Sequence, residues 1–184
     1  MTGIRELLKW DSRWIITKYR VDERIRREFE QSLHEDGLDL REAEETFNIK
    51  PYEILSFKGN LLLNEGINTI WTLVCGGSAT PYDNTNAHIG VGDGTASEDA
   101  TQTGLQGTNK AWKGMDSGYP TYGSDQKATW RATFGGDEAN FDWNEITVVN
   151  ASDDSGENLN RKVQAMGTKS SGATWVATLE ITLS

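Results

Sequence analysis

Apolar residues recur along this chain with two different periods, and the change from one to the other divides it. Val21, Ile25, Phe29 and Leu33 come every four residues, the spacing of one narrow helical stripe. Asp22 supplies an N-cap and Gly37 a C-terminal stop, so the spacing predicts a helix between them. Leu40 to Phe47 predicts a second short helix, ended ahead of Pro51, which forces extended geometry on Lys50. Upstream, Ile4, Leu7 and Leu8 fit a helical face, and residues 4 to 11 are read as helix. Trp14-Ile15-Ile16-Thr17-Lys18-Tyr19 instead has strong strand preference. Glu53 to Lys58 predicts an entry strand. Asn64 then stands as N-cap to a helix whose Ile67, Ile70, Trp71 and Val74 keep helical spacing up to Gly76-Gly77, and this helix is expected to pack on a β core.

Beyond it, alternation takes over. Ala87, Ile89 and Val91 share one face of a strand, with His88, Gly90 and Gly92 on the other. Ala128, Trp130, Ala132 and Phe134 alternate with Lys127, Thr129, Arg131 and Thr133, the pattern of a sheet with one wet face. Trp175, Ala177, Leu179, Ile181 and Leu183 define a final strand that fastens the C-terminus into the sheet. One strand changes phase: Phe141 and Trp143 are odd-numbered, Ile146 and Val148 even-numbered, so a β-bulge is expected near Asn144.

Turn chemistry sharpens the division. Only Gly3, Gly37 and Gly59 of the nineteen glycines precede Asn60, so the tight turns belong to the second part. The expected organisation is an N-terminal helical and extended arm over 1–56 and a body over 57–184. The fold class follows: mainly β, an antiparallel β-sandwich or jelly-roll-like body with one packed helix, carrying the arm. At 184 residues the chain is long enough to bury a sizeable core without disulfides or a structural metal.

Charge changes the picture of the arm. Residues 1 to 27 hold eight basic against four acidic residues, and residues 28 to 45 one basic against eight acidic. Such a polarised segment is a solvated helical surface, a surface for docking against a neighbouring subunit or, least favoured, a nucleic-acid contact through its basic end. A thin arm has little core in which to hide apolar side chains. Trp10, Trp14, Val21, Ile25, Phe29 and Leu33 are therefore the candidate partner-interface residues, Trp10 and Trp14 as its anchors.

The whole chain has a formal net charge of −10, which repels phosphate and disfavours a nucleic-acid role. No apolar run approaches the ~20 residues that span a bilayer, and Arg5 and Glu6 interrupt what would be the core of a secretion signal. Cys75 is the sole cysteine, expected to be buried and inert, and with only His34 and His88 beside it a Cys/His zinc cage cannot form. Gly90-Val91-Gly92-Asp93-Gly94 lacks the lysine and hydroxyl of a P-loop and reads as a strand running into a turn. His88 has no serine or cysteine elbow motif near it. Carboxylates cluster at Asp93, Glu98 and Asp99 and at Asp137, Glu138, Asp142 and Glu145. Paired, they could hydrolyse a glycoside or hold calcium, but no EF-hand spacing is present. The body tryptophans Trp71, Trp112, Trp130, Trp143 and Trp175 are candidates for a sugar platform; apart from Trp112 they fall on apolar periodic positions, which favours core packing. No catalytic, cofactor-binding or metal-ligating residue is assigned.

Phe57-Lys58-Gly59-Asn60-Leu61-Leu62-Leu63-Asn64-Glu65-Gly66-Ile67, Ile89-Gly90-Val91-Gly92-Asp93, Tyr119-Pro120, Ala139-Asn140-Phe141-Asp142-Trp143-Asn144-Glu145, Asn158-Leu159-Asn160-Arg161, Gly167-Thr168-Lys169 and Thr174-Trp175 form an ordered series. In this series the chain resembles structural proteins of tailed bacteriophages and prophages over residues 57 to 184, variously head-decorating or tail-fibre-associated. The resemblance implies a non-enzymatic virion protein without cofactor, assembled in the host cytoplasm. The leading expectation is a capsid decoration or cement protein, a trimeric homo-oligomer that binds the major capsid protein or other virion proteins through its arm. A tail-fibre or baseplate adaptor that recognises a receptor is the alternative, and a glycan hydrolase the third.

Overall fold

The computed structural model describes residues 10–184. They form two antiparallel five-stranded sheets laid face to face, and the fold is mainly β, as the alternation predicts. The first sheet contains, in chain order, β1 (Trp10–Arg20), β2 (Glu53–Lys58), β6 (Thr121–Ser124), β7 (Lys127–Phe134) and β10 (Ala173–Leu183), arranged β2-β1-β10-β7-β6. The second contains β3 (Leu61–Leu62), β4 (His88–Gly92), β5 (Lys110–Gly114), β8 (Asp142–Val149) and β9 (Asn160–Thr168), arranged β3-β9-β8-β4-β5. Between them lies a core of inward-facing residues from both, including Trp14, Ile16, Trp130 and Leu179 from one and Ile89, Val91, Ile146 and Val148 from the other. Phe134, Trp143 and Trp175 interlock edge to face, with centroids 4.8 and 4.9 Å apart, the arrangement that ring quadrupoles favour.

The division at residue 56 is not a structural one. All eleven residues of β1 pair with β10, from Trp10 opposite Leu183 to Arg20 opposite Ala173, and six of them pair with β2 on the other side. Residues 10 to 20 and 53 to 58 are thus part of the first sheet. The physical reason is visible in Trp14 to Tyr19: β-branched and aromatic residues alternate there and satisfy both faces of a central strand. Trp10 and Asp11 belong to this strand, not to a helix; residues 4 to 9 lie outside the described residues.

Helices α1 (Glu23–His34) and α2 (Leu40–Phe47) form as predicted, with Asp22 and Asp39 accepting hydrogen bonds from first-turn amides. They do not reach away from the body. They cover the outer face of the first sheet, where Tyr19, Val21, Phe29, Leu33, Ala43 and Val176 make a second core. Phe29 sits between the rings of Tyr19 and Phe47, at 5.1 and 5.7 Å. The polar face of β7, expected to be wet, is buried beneath these helices: Arg131 and Thr133 are each 2% exposed. A fully buried Asp116 compensates the guanidinium, accepting from Arg131 Nε at 2.7 Å, Thr133 N at 2.9 Å, Thr133 Oγ1 at 2.8 Å and His34 Nδ1 at 3.0 Å. Arg131 also donates to the Leu33 and Leu38 carbonyls, tying the α1–α2 connection to the sheet.

Helix α3 (Asn64–Val74) is present, with Leu63 rather than Asn64 at the cap position. Its buried side is marked by Gly66 and Thr69. A Cβ on Gly66 would meet the Leu159 carbonyl oxygen at 2.5 Å, so glycine lets the helix backbone lie directly on the β8–β9 connection. Glu65 fixes that contact by accepting from Asn158 N at 2.6 Å. The expected bulge in β8 is there, as a register shift between Trp143 and Glu145.

Candidate partner-binding groove

The six residues expected to face a partner are not brought together on a surface. Trp14, Phe29 and Leu33 are fully buried and Val21 nearly so, all in the chain's own two cores, with Ile25 half-buried beside them. Each fills space between the first sheet and a layer of the same chain, so none is available to anchor a second protein. Trp10 alone among them lines an open cavity.

That cavity is a groove of about 600 Å³ at one end of the sandwich. Its walls come from the extremes of the sequence. Trp10 begins β1 and lies opposite Leu183 at the end of β10; Ile181 is two residues back on the same strand face, Ala128 and Trp130 come from β7, and Ile70 from α3. Tyr82 closes one side, where its carbonyl accepts from Trp130 Nε1 at 3.0 Å, and burial pushes its phenol well above the ordinary value. Trp10 Nε1 is buried with no acceptor among the described residues.

Exposed apolar side chains also stand on two of the elements that wall the groove. On α3, Val74 follows Ile70 by about 40° around the helix and Trp71 by about 100°, and these two are 70% and 62% exposed. These two members of the helix's apolar stripe therefore face outward instead of packing on the core. On the other side a smaller cavity shares Tyr82, Ala128 and Trp130 with the groove and ends at Tyr122, 78% exposed. Of the six large hydrophobic residues exposed among those described, Leu183 lines the groove and Tyr122 the smaller cavity, Trp71 and Val74 lie on the helix that gives Ile70 to the groove, and Tyr52 and Ile54 lie at the β2 edge. Sequence reasoning placed Trp71 and Val74 in the core; the buried positions of α3 are instead Gly66 and Thr69, which lie about 140° and 160° around the helix from Trp71.

The residues considered for chemistry are committed elsewhere. Glu145 is fully buried and pairs with a fully buried Arg161 at 2.6 Å. It also accepts from the backbone amides of Gly94 at 3.2 Å, Gln106 at 3.0 Å and Gly107 at 2.7 Å. Arg161 donates on to the Ala96 carbonyl at 3.0 Å and Gln102 Oε1 at 2.9 Å. Together they pin the long β4–β5 connection. Gly92 and Gly94 leave room for this carboxylate, since a Cβ on either would collide with Glu145 Oε1, whereas one on Gly90 would meet the Trp112 and Thr147 side chains. Asp142, from the same carboxylate cluster, is exposed and accepts from Thr168 Oγ1. Asp93 is held below the usual carboxylate range by Asn109 and by the amides of Asn109 and Thr108. His88 rests half-buried with Nδ1 3.0 Å from the Asn86 carbonyl. Trp112 is half-buried and Cys75, expected to be buried, is exposed.

Two polar clefts complete the surface. One of about 400 Å³ between α1 and the β7–β8 turn holds Arg27, Glu30, His34, Lys113 and Glu138, with Lys113 and Glu138 paired at 2.7 Å. Behind it, Lys169 donates to the Gly135 and Glu138 carbonyls at 2.7 and 2.8 Å, and burial lowers its pKa to about 8. The other, of about 690 Å³, lies between α3 and the loop after β8 and is lined by amides, hydroxyls, Glu65 and Glu157. Neither carries an apolar anchor comparable with Trp10 or Trp130. No group of three or more His, Cys, Asp or Glu side chains placed to hold a metal occurs among the described residues, and no described helix is long and apolar enough to cross a membrane.

Comparison with protein families, with characterised proteins and with solved structures finds no match to this chain.

Proposed function

We propose that this chain is a non-enzymatic structural protein of a tailed-bacteriophage or prophage particle, a decoration protein that sits on the capsid as a homo-oligomer. The observation that carries the reading is the apolar groove walled by Trp10, Ile70, Trp130 and Leu183, with a smaller cavity beside it that shares Trp130 and ends at the exposed Tyr122. The occupant of that surface is the major capsid protein. Such an interface draws its energy from desolvated aromatic anchors at its centre, and Trp10 and Trp130 in the groove are the side chains to supply them. The attachment device is thus the body's own end and not an extended arm, because the helices that would have formed the arm are spent on covering the first sheet.

The interior charges support the same reading. Glu145 with Arg161, and Asp116 with Arg131, act as struts that fix loops and helices to the sheets. A particle protein repeated over a shell gains from such rigidity, since a modest contact repeated many times binds by avidity. Quantitative mass spectrometry of purified particles from the host strain tests the reading. Hundreds of copies per particle are expected; a few copies would replace it with a tail-fibre or baseplate adaptor, and none would end it.

A further inference from the structure

The edge of a sheet exposes a row of unpaired N–H and C=O groups, which proteins blunt with short strands, charges or bulges. Of the four edges that the described strands form, three are blunted. β3 is two residues long, β5 carries Lys110 and Lys113, and β6 shifts register between Thr121 and Ser124. β2 is the exception. It ends the first sheet with no described strand on its outer side, and its charges, Glu53 and Lys58, stand only at its ends. Ile54 on this strand is 58% exposed and Tyr52 just before it 48%.

The pairing with β1 fixes which backbone groups that edge offers. Gly59 N donates to Ser12 O at 2.9 Å, in phase with the register that sets Arg13 opposite Lys58. Hydrogen-bonded positions alternate along an antiparallel ladder. Glu53, Leu55 and Phe57 therefore turn their amides and carbonyls to β1, and Ile54, Ser56 and Lys58 turn theirs outward. A second copy meeting this edge antiparallel, through a two-fold axis normal to the sheet, sets odd-numbered residues opposite odd and even opposite even. With the axis at Ser56 the edge is complementary to itself. The outward groups meet in three reciprocal pairs, Ile54 with Lys58, Ser56 with Ser56 and Lys58 with Ile54. Between them Leu55 faces Phe57 twice, at the positions where side chains come closest, and both are half-buried at the margin of the inter-sheet core. On the other face the aliphatic stem of Lys58 covers Ile54. With the axis at Leu55 only two reciprocal pairs remain, because Tyr52 N is engaged by Lys18 O at 2.9 Å.

We propose that two copies of this chain pair through β2 about a two-fold axis at Ser56, joining their first sheets into one. The pairing gives the homo-oligomer of the proposed function its contact and, being a property of the free chain, is tested apart from the particle.

Sedimentation equilibrium of the full chain over a wide concentration range is the test, and the wild type should follow a monomer–dimer equilibrium. Ser56→Pro leaves the bonds to β1 in place, since the Ser56 amide points away from β1, but removes both central donors. It should weaken the dimer about tenfold or more. Ser56→Ala gives up only the Oγ that accepts from Arg13 Nε at 2.8 Å and should leave the affinity within about threefold. Should Ser56→Pro fail to fold, the charge at the exposed position 54 decides. Ile54→Glu sets a carboxylate opposite Lys58 and should tighten the dimer, whereas Ile54→Lys should weaken it; general repulsion between chains of net charge −10 would give the reverse order. Amide exchange should slow with concentration at Ile54, Ser56 and Lys58 but not at Leu55 or Phe57. A monomer at every concentration, a closed trimer, or a dimer indifferent to Ser56→Pro and to the charge at position 54 would overturn the pairing. The virion reading fails separately, on the copy number in purified particles.

Discussion

Replacing Phe29 by alanine separates a fold in which residues 10 to 50 are integral from one in which they are an appendage. Phe29 has no exposed surface, and its ring meets Tyr19 and Phe47 edge to face at 5.1 and 5.7 Å. Truncation removes a whole ring from a site walled by a strand on one side and α2 on the other, where collapse would need both to move. Burial without relaxation puts the cost at about 3–5 kcal/mol, to which the lost edge-to-face pairs contribute about 0.5–1.5 kcal/mol each. With a urea m-value of about 2 kcal/mol/M, the midpoint should fall by about 2 M, and the melting temperature by about 8–16 °C. The decisive feature is cooperativity. Tryptophan fluorescence reports the inter-sheet core through Trp143 and Trp175, and far-ultraviolet circular dichroism reports the helices; both should shift together, because β1 carries Tyr19 on one face and Trp14 on the other. A loss below about 1 kcal/mol, or a helical transition that moves while the fluorescence transition does not, would refute the two-core account.

Other consequences are open to measurement. Arg161→Met strands a fully buried Glu145 and should cost about 3–5 kcal/mol, with faster hydrogen exchange at the amides of Gly94, Gln106 and Gly107; unchanged exchange there would show that the ion pair does not hold the β4–β5 connection. Lys169 has its pKa lowered by burial to about 8 from 10.5, so above about pH 8 the unfolded chain keeps a proton that the folded chain has released, and stability should rise with pH up to about 10. Beyond that point Tyr19 and Tyr82, pushed up by burial, reverse the trend; urea titrations between pH 7.5 and 10 that show no rise, or an equal rise in Lys169→Met, would count against the assignment. Trp71→Asp with Val74→Asp alters only exposed side chains and should leave stability within about 0.5 kcal/mol while abolishing particle attachment, as read by co-sedimentation.

Local patterns were legible wherever one face or one cap dominated. The α1 stripe with its Asp22 cap, α2 between Leu40 and Phe47, the inner faces of β7 and β10, and the β8 bulge all appear where the sequence places them. The partition failed because glycine content and charge are properties of segments, whereas strand pairing is a property of pairs: nothing in Trp14 to Tyr19 announces that residues 173 to 183 lie alongside. Arg131 and Thr133 read as a wet face because side-chain type does not reveal a covering layer, and the counter-charge that makes burial tolerable, Asp116, sits on a separate loop. The groove escaped for the same reason. Its walls are contributed by Trp10, Ile70, Trp130 and Leu183, and no window of sequence holds more than one of these strands or helices.

A cryo-electron microscopy reconstruction of the assembled particle tests the central claim most directly. The account predicts this chain in many copies on the capsid, with α1 and α2 still closed over the first sheet and Trp71, Val74 and Leu183 covered by the capsid subunit. A map in which that end of the sandwich faces solvent, or in which α1 has left its sheet to clasp a neighbour, would contradict it.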